Sequence, residues 1–182
     1  MRLFTAIAIS GEVRATLIEL LRRLKPTSKQ NWSPPDNLHI TTKFIGEWPE
    51  MRFEELCDAL RAVPKPGPFD VTLRGLGWFP NPHNPNAFFA GIEAPMALSE
   101  LAKSTDAACI RLGIPAESKR YVPHMTLARI KSSEGLAELR KAVAGVPTVD
   151  FGRFTVRSFQ LYESQPGPGS SKYIPVEEFP LL

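Results

Sequence analysis

Two short stretches of this chain hold the residues best suited to chemistry. "NLHITTKFIG" carries His39 and Thr41, and "VPHMTLARI" carries His124 and Thr126. The protein has only three histidines, and two of them share the pattern His-x-Thr. With 10 threonines in 182 residues, chance puts Thr two places after a given His about one time in eighteen. Two such hits among three histidines are a coincidence of about one in a hundred, before the matching strand context is counted. Alternate residues of a strand point to opposite faces. Leu38 and Ile40 then fall on an apolar side with Phe44, and His39, Thr41 and Lys43 on the other. Met125 and Leu127 face inward, and His124 and Thr126 outward. Each strand sets an imidazole and a hydroxyl side by side, about 7 Å apart along the backbone.

A pair of imidazoles can work as acid and base near neutral pH. Two hydroxyls can hydrogen-bond the nonbridging oxygens of a phosphate and keep it in line. No serine or cysteine nucleophile has an evident partner, and the histidines lack the close spacing of a metal site. Metal-free, cofactor-free hydrolysis of a phosphodiester is the chemistry these parts suit. By parity Lys43 either assists phosphate binding or is a solvated edge lysine. Lys119, Arg120 and Tyr121 precede the second motif and either line the site or belong to a solvated face. The parity of Arg129 argues against a phosphate contact unless its strand bulges. Trp32, Trp78 and Phe79 offer rings for base stacking or for the core, and His83 lies in a Pro/Asn loop.

Four amphipathic helices frame these strands. Their stripes are Val13–Leu24, Phe53–Leu60, Leu98–Leu112 and Leu136–Val143. Pro95 opens the third and Gly113 closes it; Ser133 is a candidate cap for the fourth, with Gly145 beyond its end. Extended runs begin at Phe4, Phe69, Ala87, Phe154 and Lys172. Phe154 and Val156 share a parity that Phe159 and Leu161 do not, which predicts a bulge near Ser158. Each half of the chain reads as helix, His-x-Thr strand, helix and paired strands. That order predicts a duplicated α+β architecture, with residues 1–182 as a single two-lobed domain.

Composition sets the remaining bounds. Hydrophobic residues make up 43% of the chain and charged ones 23%, as in ordinary globular proteins. Lys and Arg number 22 against 19 Asp and Glu, a mild basic excess that suits an anionic ligand, and no polybasic block is present. Cys57 and Cys109 sit alone on apolar helix faces, as buried thiols do. The first residues, "MRLFTAIAIS", are too short an apolar run for a membrane span and lack a cleavage site. The expected address is the cytoplasm, with no membrane partner and a monomeric chain.

The two H-x-T-x motifs, His39 to Thr42 and His124 to Leu127, resemble the signature of the 2H phosphoesterase superfamily. "NLHITTKFIG" and "RYVPHMTLARI" look like its RNA 2',3'-cyclic phosphodiesterase branch, also called 2'-5' RNA ligase-like. "MRLFTAIAI", "GLGWFPNPHNPNAFFAGIE" and "LYESQPGPGSSKYIPVEEFPL" extend the similarity through the chain. The resemblance implies a bilobal LigT-like fold, with two antiparallel sheets around a central groove and helices outside. It implies opening of RNA ends or nucleoside 2',3'-cyclic phosphates to 2'-phosphomonoesters. In that scheme His39 donates a proton to the leaving 3'-oxygen, His124 accepts one from water, and Thr41 and Thr126 hold the phosphate. The sequence itself leaves the two histidine roles interchangeable. A nucleotide-binding module without turnover and an ATP-independent 2'-5' ligase remain alternatives. Thr42 stands where the family usually has Leu, and "NPHNPNAFF" where related chains often carry arginines and a Trp.

Overall fold

The computed structural model describes residues 1–182. In order, its strands and helices are β1 (Arg2–Ala8), α1 (Gly11–Leu24), β2 (Asn31–Trp32), β3 (His39–Glu47), α2 (Phe53–Arg61), β4 (Phe69–Phe79), β5 (Ala87–Glu93), α3 (Met96–Arg111), β6 (His124–Arg129), α4 (Leu136–Ala144), β7 (Asp150–Val156), β8 (Ser158–Gln165) and β9 (Lys172–Pro180). All four helices lie where their apolar stripes predict. Ser10 starts α1, its Oγ accepting from Val13 N at 3.2 Å, and Val13, Leu17, Leu20, Leu21 and Leu24 are buried beneath it. The expected cap of α4 differs. Ser133 lends only its carbonyl to Leu136 N, and Gly135 at φ 73° makes the entry turn. A Cβ at Gly135 would also meet Thr27 O at 2.6 Å, so the position excludes a side chain twice over.

The strands form two antiparallel sheets, ordered β3-β1-β8-β9 and β2-β6-β5-β4-β7. The sheets are not the two halves of the sequence. Strands β1 and β3 share a sheet with the last two strands of the chain, β1 pairing with β8, and the second sheet takes the middle. Helices are exchanged as well: α1 and α4 pack together on the β7 side, and α2 and α3 cover β9 and β3. The predicted bulge at Ser158 is instead the crossing between sheets. β7 ends at Val156 paired with β4, and β8 begins at Ser158 paired with β1. The parity slip records a change of partner. Because the chain passes repeatedly between layers, both sheets share one contiguous cluster of 37 buried apolar residues.

A second departure from strict alternation lies beside the motifs. Residues paired across an antiparallel ladder share a face. Ala6 pairs with Thr41 and Thr5 with Lys43, so Thr42 is an extra residue, a bulge. Phe89 pairs with Thr126 and Phe88 with Ala128, so Leu127 is extra in the same way. Each His-x-Thr is thus followed by a bulge at the third position after its His. The buried Thr42 hydroxyl lies 2.6 Å from that of Thr5, so each of these polar groups has a partner inside the core. Beyond the bulge, Lys43 turns under the sheet, while Phe44 and Arg129 come round to the motif face, and both are exposed.

The Thr5–Thr42 pair yields an expected outcome. Thr42→Val leaves a buried hydroxyl unpaired and should cost about 1–3 kcal/mol. Thr5→Val/Thr42→Val should recover part of that loss, read as denaturation midpoints in urea. Strictly additive losses would show that the two hydroxyls do not pair.

Candidate active site

His39 opens β3, the edge strand of its sheet. Its Nδ1 lies 2.5 Å from Asn37 O. A carbonyl oxygen only accepts, so Nδ1 carries the proton in the neutral ring and Nε2 is the free base. Nε2 lies 2.8 Å from Thr41 Oγ1, whose hydroxyl donates to it. Asn37 is itself fixed: its Nδ2 donates to Ser171 O at 2.7 Å, from the loop between β8 and β9. The imidazole is packed among the rings of Phe4 at 5.0 Å, Tyr173 edge-on at 5.3 Å and Tyr162 at 6.2 Å.

The second motif repeats this construction. His124 opens β6, and its Nδ1 donates to Val122 O at 2.9 Å. The acceptor is again the carbonyl two residues earlier, so Nε2 is again the free base. Phe79 at 5.1 Å and Phe89 at 5.6 Å brace the ring edge-on. Gly91 pairs with His124, and a Cβ there would meet Arg74 O at 2.4 Å. Gly77 lies under the Phe89 ring, where a Cβ would come within 2.4 Å of it.

The two motif strands meet at the seam between the sheets. β3 is the outer strand of one sheet, and β6 lies second from the edge of the other, with only the two-residue β2 outside it. β3 and β6 come within 8 Å, Cα to Cα. Tyr121, three residues before His124, donates its hydroxyl to Thr41 O at 2.8 Å. From the other direction, Ser33 on the way into β3 donates to Thr126 O at 3.1 Å. Each motif's threonine backbone is therefore held by the segment that leads to the other motif. Neither histidine lines the largely apolar hollow of about 360 Å³ between α2 and α3, bounded by Ala59, Ala108 and Arg111. No group of three or more His, Cys, Asp or Glu side chains is arranged to hold a metal ion.

Comparison with known proteins agrees with this duplication. The model of the LigT-like phosphoesterase family matches two stretches, residues 7–89 and 92–173, each containing one His-x-Thr. The chain belongs to this family. It is 38% identical to an RNA 2',3'-cyclic phosphodiesterase of Thermus thermophilus, over all of this chain and 90% of the other. A protein of the same name from Methanothermobacter thermautotrophicus is 29% identical over 100% and 99% of the two chains. Among solved structures, one from Thermus thermophilus superposes with a TM-score of 0.82 at 33% identity, covering 100% of this chain and 98% of that one. E. coli LigT complexed with 3'-AMP superposes with a TM-score of 0.81 at 24% identity, covering 99% and 97%, a likeness of fold.

In this phosphoesterase the other expected site residues divide. Lys43 is not available to a phosphate. It is 2% exposed, and its three N–H donors go to Asp106 at 2.8 Å, Pro115 O at 2.9 Å and Glu117 at 3.2 Å. Burial alone would lower its pKa, but the bonds to Asp106 and Glu117 outweigh burial and raise it. Tyr121 spends its hydroxyl on Thr41 O, and burial pushes its phenol well above the usual range. Arg120 is exposed and Phe79 lies beside His124. Trp32 and Trp78 pack on buried Phe88, and His83 sits out on its loop. The bracing rings Phe4, Tyr162, Tyr173 and Phe89 went unread; their parity with the motifs emerges only from the strand pairing.

Burial lowers the His39 pKa from 6.5 to about 4, against a smaller raising effect of the bond to Asn37 O. His39 is therefore neutral at pH 7. The unfolded chain takes up a proton at His39 near 6.5 and the folded one only near 4. Stability from this residue is complete above about 6.5 and is lost as pH falls towards 4. The wild type should lose up to about 3 kcal/mol more than His39→Gln between pH 7 and 4, by denaturant titration of both. Parallel losses would contradict a buried, neutral His39.

Proposed function

We propose that this phosphoesterase hydrolyses 2',3'-cyclic phosphate ends of RNA to 2'-phosphomonoesters, with His39 and His124 as its acid and base. The observation that carries this reading is the shared construction of the two histidines. Each gives its Nδ1–H to the carbonyl two residues earlier and keeps Nε2 for proton transfer. In the proposed sequence, Nε2 of His124 takes a proton from water as the water oxygen bonds to phosphorus. The P–O3' bond breaks, and the proton on His39 Nε2 passes to the 3'-oxygen. The 2'-ester bond remains. His39 is left neutral and His124 protonated, and exchange with solvent resets both. Thr41 and Thr126 hydrogen-bond the phosphate oxygens. The Thr41 hydroxyl is bonded to His39 Nε2. The phosphate must displace that bond, which turns the hydroxyl to the substrate as it frees the imidazole.

The donor role needs a protonated His39, and burial opposes it. An anionic phosphate in contact with the ring favours the charged form and offsets the loss of solvation. The names of the relatives support the substrate class, and the resemblance to the family supports the assignment of the two roles. One chain carries both motifs, which supports a monomer. No helix is long and apolar enough to cross a membrane, and both cysteines are free buried thiols that burial pushes up to about 11. These features support a cytoplasmic enzyme.

The test is incubation with nucleoside 2',3'-cyclic phosphates, with the product isomers resolved. The expected product carries its phosphate on the 2'-oxygen, the rate follows a bell in pH, and activity survives EDTA. His39→Ala and His124→Ala should each lower kcat by about 10²–10⁴-fold. Thr41→Ala and Thr126→Ala should lose as much or less. A folded double His→Ala variant with wild-type rate would overturn the assignment. A 3'-phosphate product would overturn the regiochemistry alone. Loss of activity on chelation, restored by a divalent ion, would contradict proton transfer by the two histidines alone.

A further inference from the structure

The segment from Pro115 to Tyr121, "PAESKRY", has no regular secondary structure, yet it is fastened at both ends to the first motif strand. At its start, Lys43 of β3 donates to Pro115 O and to Glu117 Oε1, and Asp106 Oδ1 accepts from Glu117 N at 3.3 Å. At its end, Tyr121 donates to Thr41 O. Between the fastenings stand only Ser118, Lys119 and Arg120, all exposed. The acids nearest in sequence, Asp106 and Glu117, both pair with Lys43. Lys119 and Arg120 have no ion-pair partner, so the tip presents two uncompensated positive charges.

Anchorage so close on both sides is costly to build into a loop that does nothing. A buried lysine is tolerated only with its charge and all its donors satisfied, and two of the three acceptors here, Pro115 O and Glu117 Oε1, belong to this segment. Ordering a charged loop in advance removes the entropy it would lose on binding. The placement says what it would bind. Arg120 is four residues before His124, hence at most about 14 Å from it along an extended chain. A nucleoside cyclic phosphate has one phosphate, which the histidines and threonines engage. Further cations beside them gain a partner only if the substrate brings further phosphates.

We propose that residues 115–121 are a fixed arm that engages the RNA backbone on the 5' side of the cyclic end through Lys119 and Arg120, with Lys43 and Tyr121 as the positioning residues that hold it. The inference rests on the hydrolase reading above and adds which residues hold the RNA strand behind the cyclic end. Lys43 thereby serves phosphate recognition without touching phosphate.

The experiment compares kcat/KM on a nucleoside 2',3'-cyclic phosphate with that on a short oligoribonucleotide ending in the same group, over a range of salt. For the wild type the oligomer should be preferred, and its kcat/KM should fall with salt. Each phosphate contact removed from a single strand should reduce the log–log slope by about 0.7. Lys119→Gln/Arg120→Gln should therefore flatten the slope by about 1.4 and reduce the oligomer preference about tenfold or more. Tyr121→Phe removes one hydroxyl, and it should reduce the same preference. Added to the double Gln variant, it should change the preference no further. Lys43→Met should act as Tyr121→Phe does, and Tyr121→Phe carries the test if Lys43→Met fails to fold. A merely structural role would lower both substrates alike and leave the salt slope intact, and that result would overturn the arm. So would an unaltered preference in Lys119→Gln/Arg120→Gln. A wild type inactive on both substrates would remove the hydrolase reading itself, and the arm with it.

Discussion

The site depends on one hydrogen bond made twice, from imidazole Nδ1–H to the carbonyl two residues earlier in the chain. It decides which nitrogen of each ring is basic and fixes the ring plane against the strand. Two imidazoles left free to choose tautomers would present a productive pair only part of the time. Here Asn37 O and Val122 O leave both Nε2 atoms unblocked by backbone. The aromatic rings packed round each histidine restrict rotation further. On the His39 side they also exclude water, and that burial brings its pKa to about 4. The two rings are thus oriented alike, and the burial of His39 opposes the protonated form that the proposed donor role needs.

The bulge after each motif follows from the same need. A strand that kept strict alternation beyond His39 and Thr41 would aim Lys43 at the site and bury Phe44. The extra residue Thr42 reverses this. Lys43 becomes an internal cation that joins β3 to α3 and the 115–121 segment, and Phe44 is left 61% exposed on the motif face. In β6 the equivalent bulge brings Arg129 to the motif face. The seam is then closed by Tyr121 and Ser33, each reaching across to the backbone of the other motif's threonine. Moving either strand disturbs both motifs.

Much of this was legible in the sequence, wherever the signal is local. Helical stripes such as Val13, Leu17, Leu20, Leu21 and Leu24 depend on neighbours three and four residues apart, and each became a helix. The paired His-x-Thr pattern announced both histidines and the order of elements. Pairing between distant strands was not legible. "FTVRSFQLYE" carries its parity slip openly, but a bulge and a change of sheet leave the same mark. The bulge at Thr42 was hidden because Thr and Lys suit either face of a strand. The consecutive apolar pair Phe44–Ile45 was the available sign that alternation had failed. Ser133 looked like a cap because its type is right, and Gly135 displaced it for want of space for a Cβ beside Thr27 O.

The central claim is that both Nε2 atoms act on one phosphorus. A crystal structure with a nucleoside 2'-phosphate bound tests it most directly. The account predicts both Nε2 atoms within hydrogen-bond reach, about 2.6–3.2 Å, of oxygens on the same phosphorus or of a water bonded to it. A nucleotide bound with its phosphate against one histidine and the other imidazole directed away from it would contradict the account.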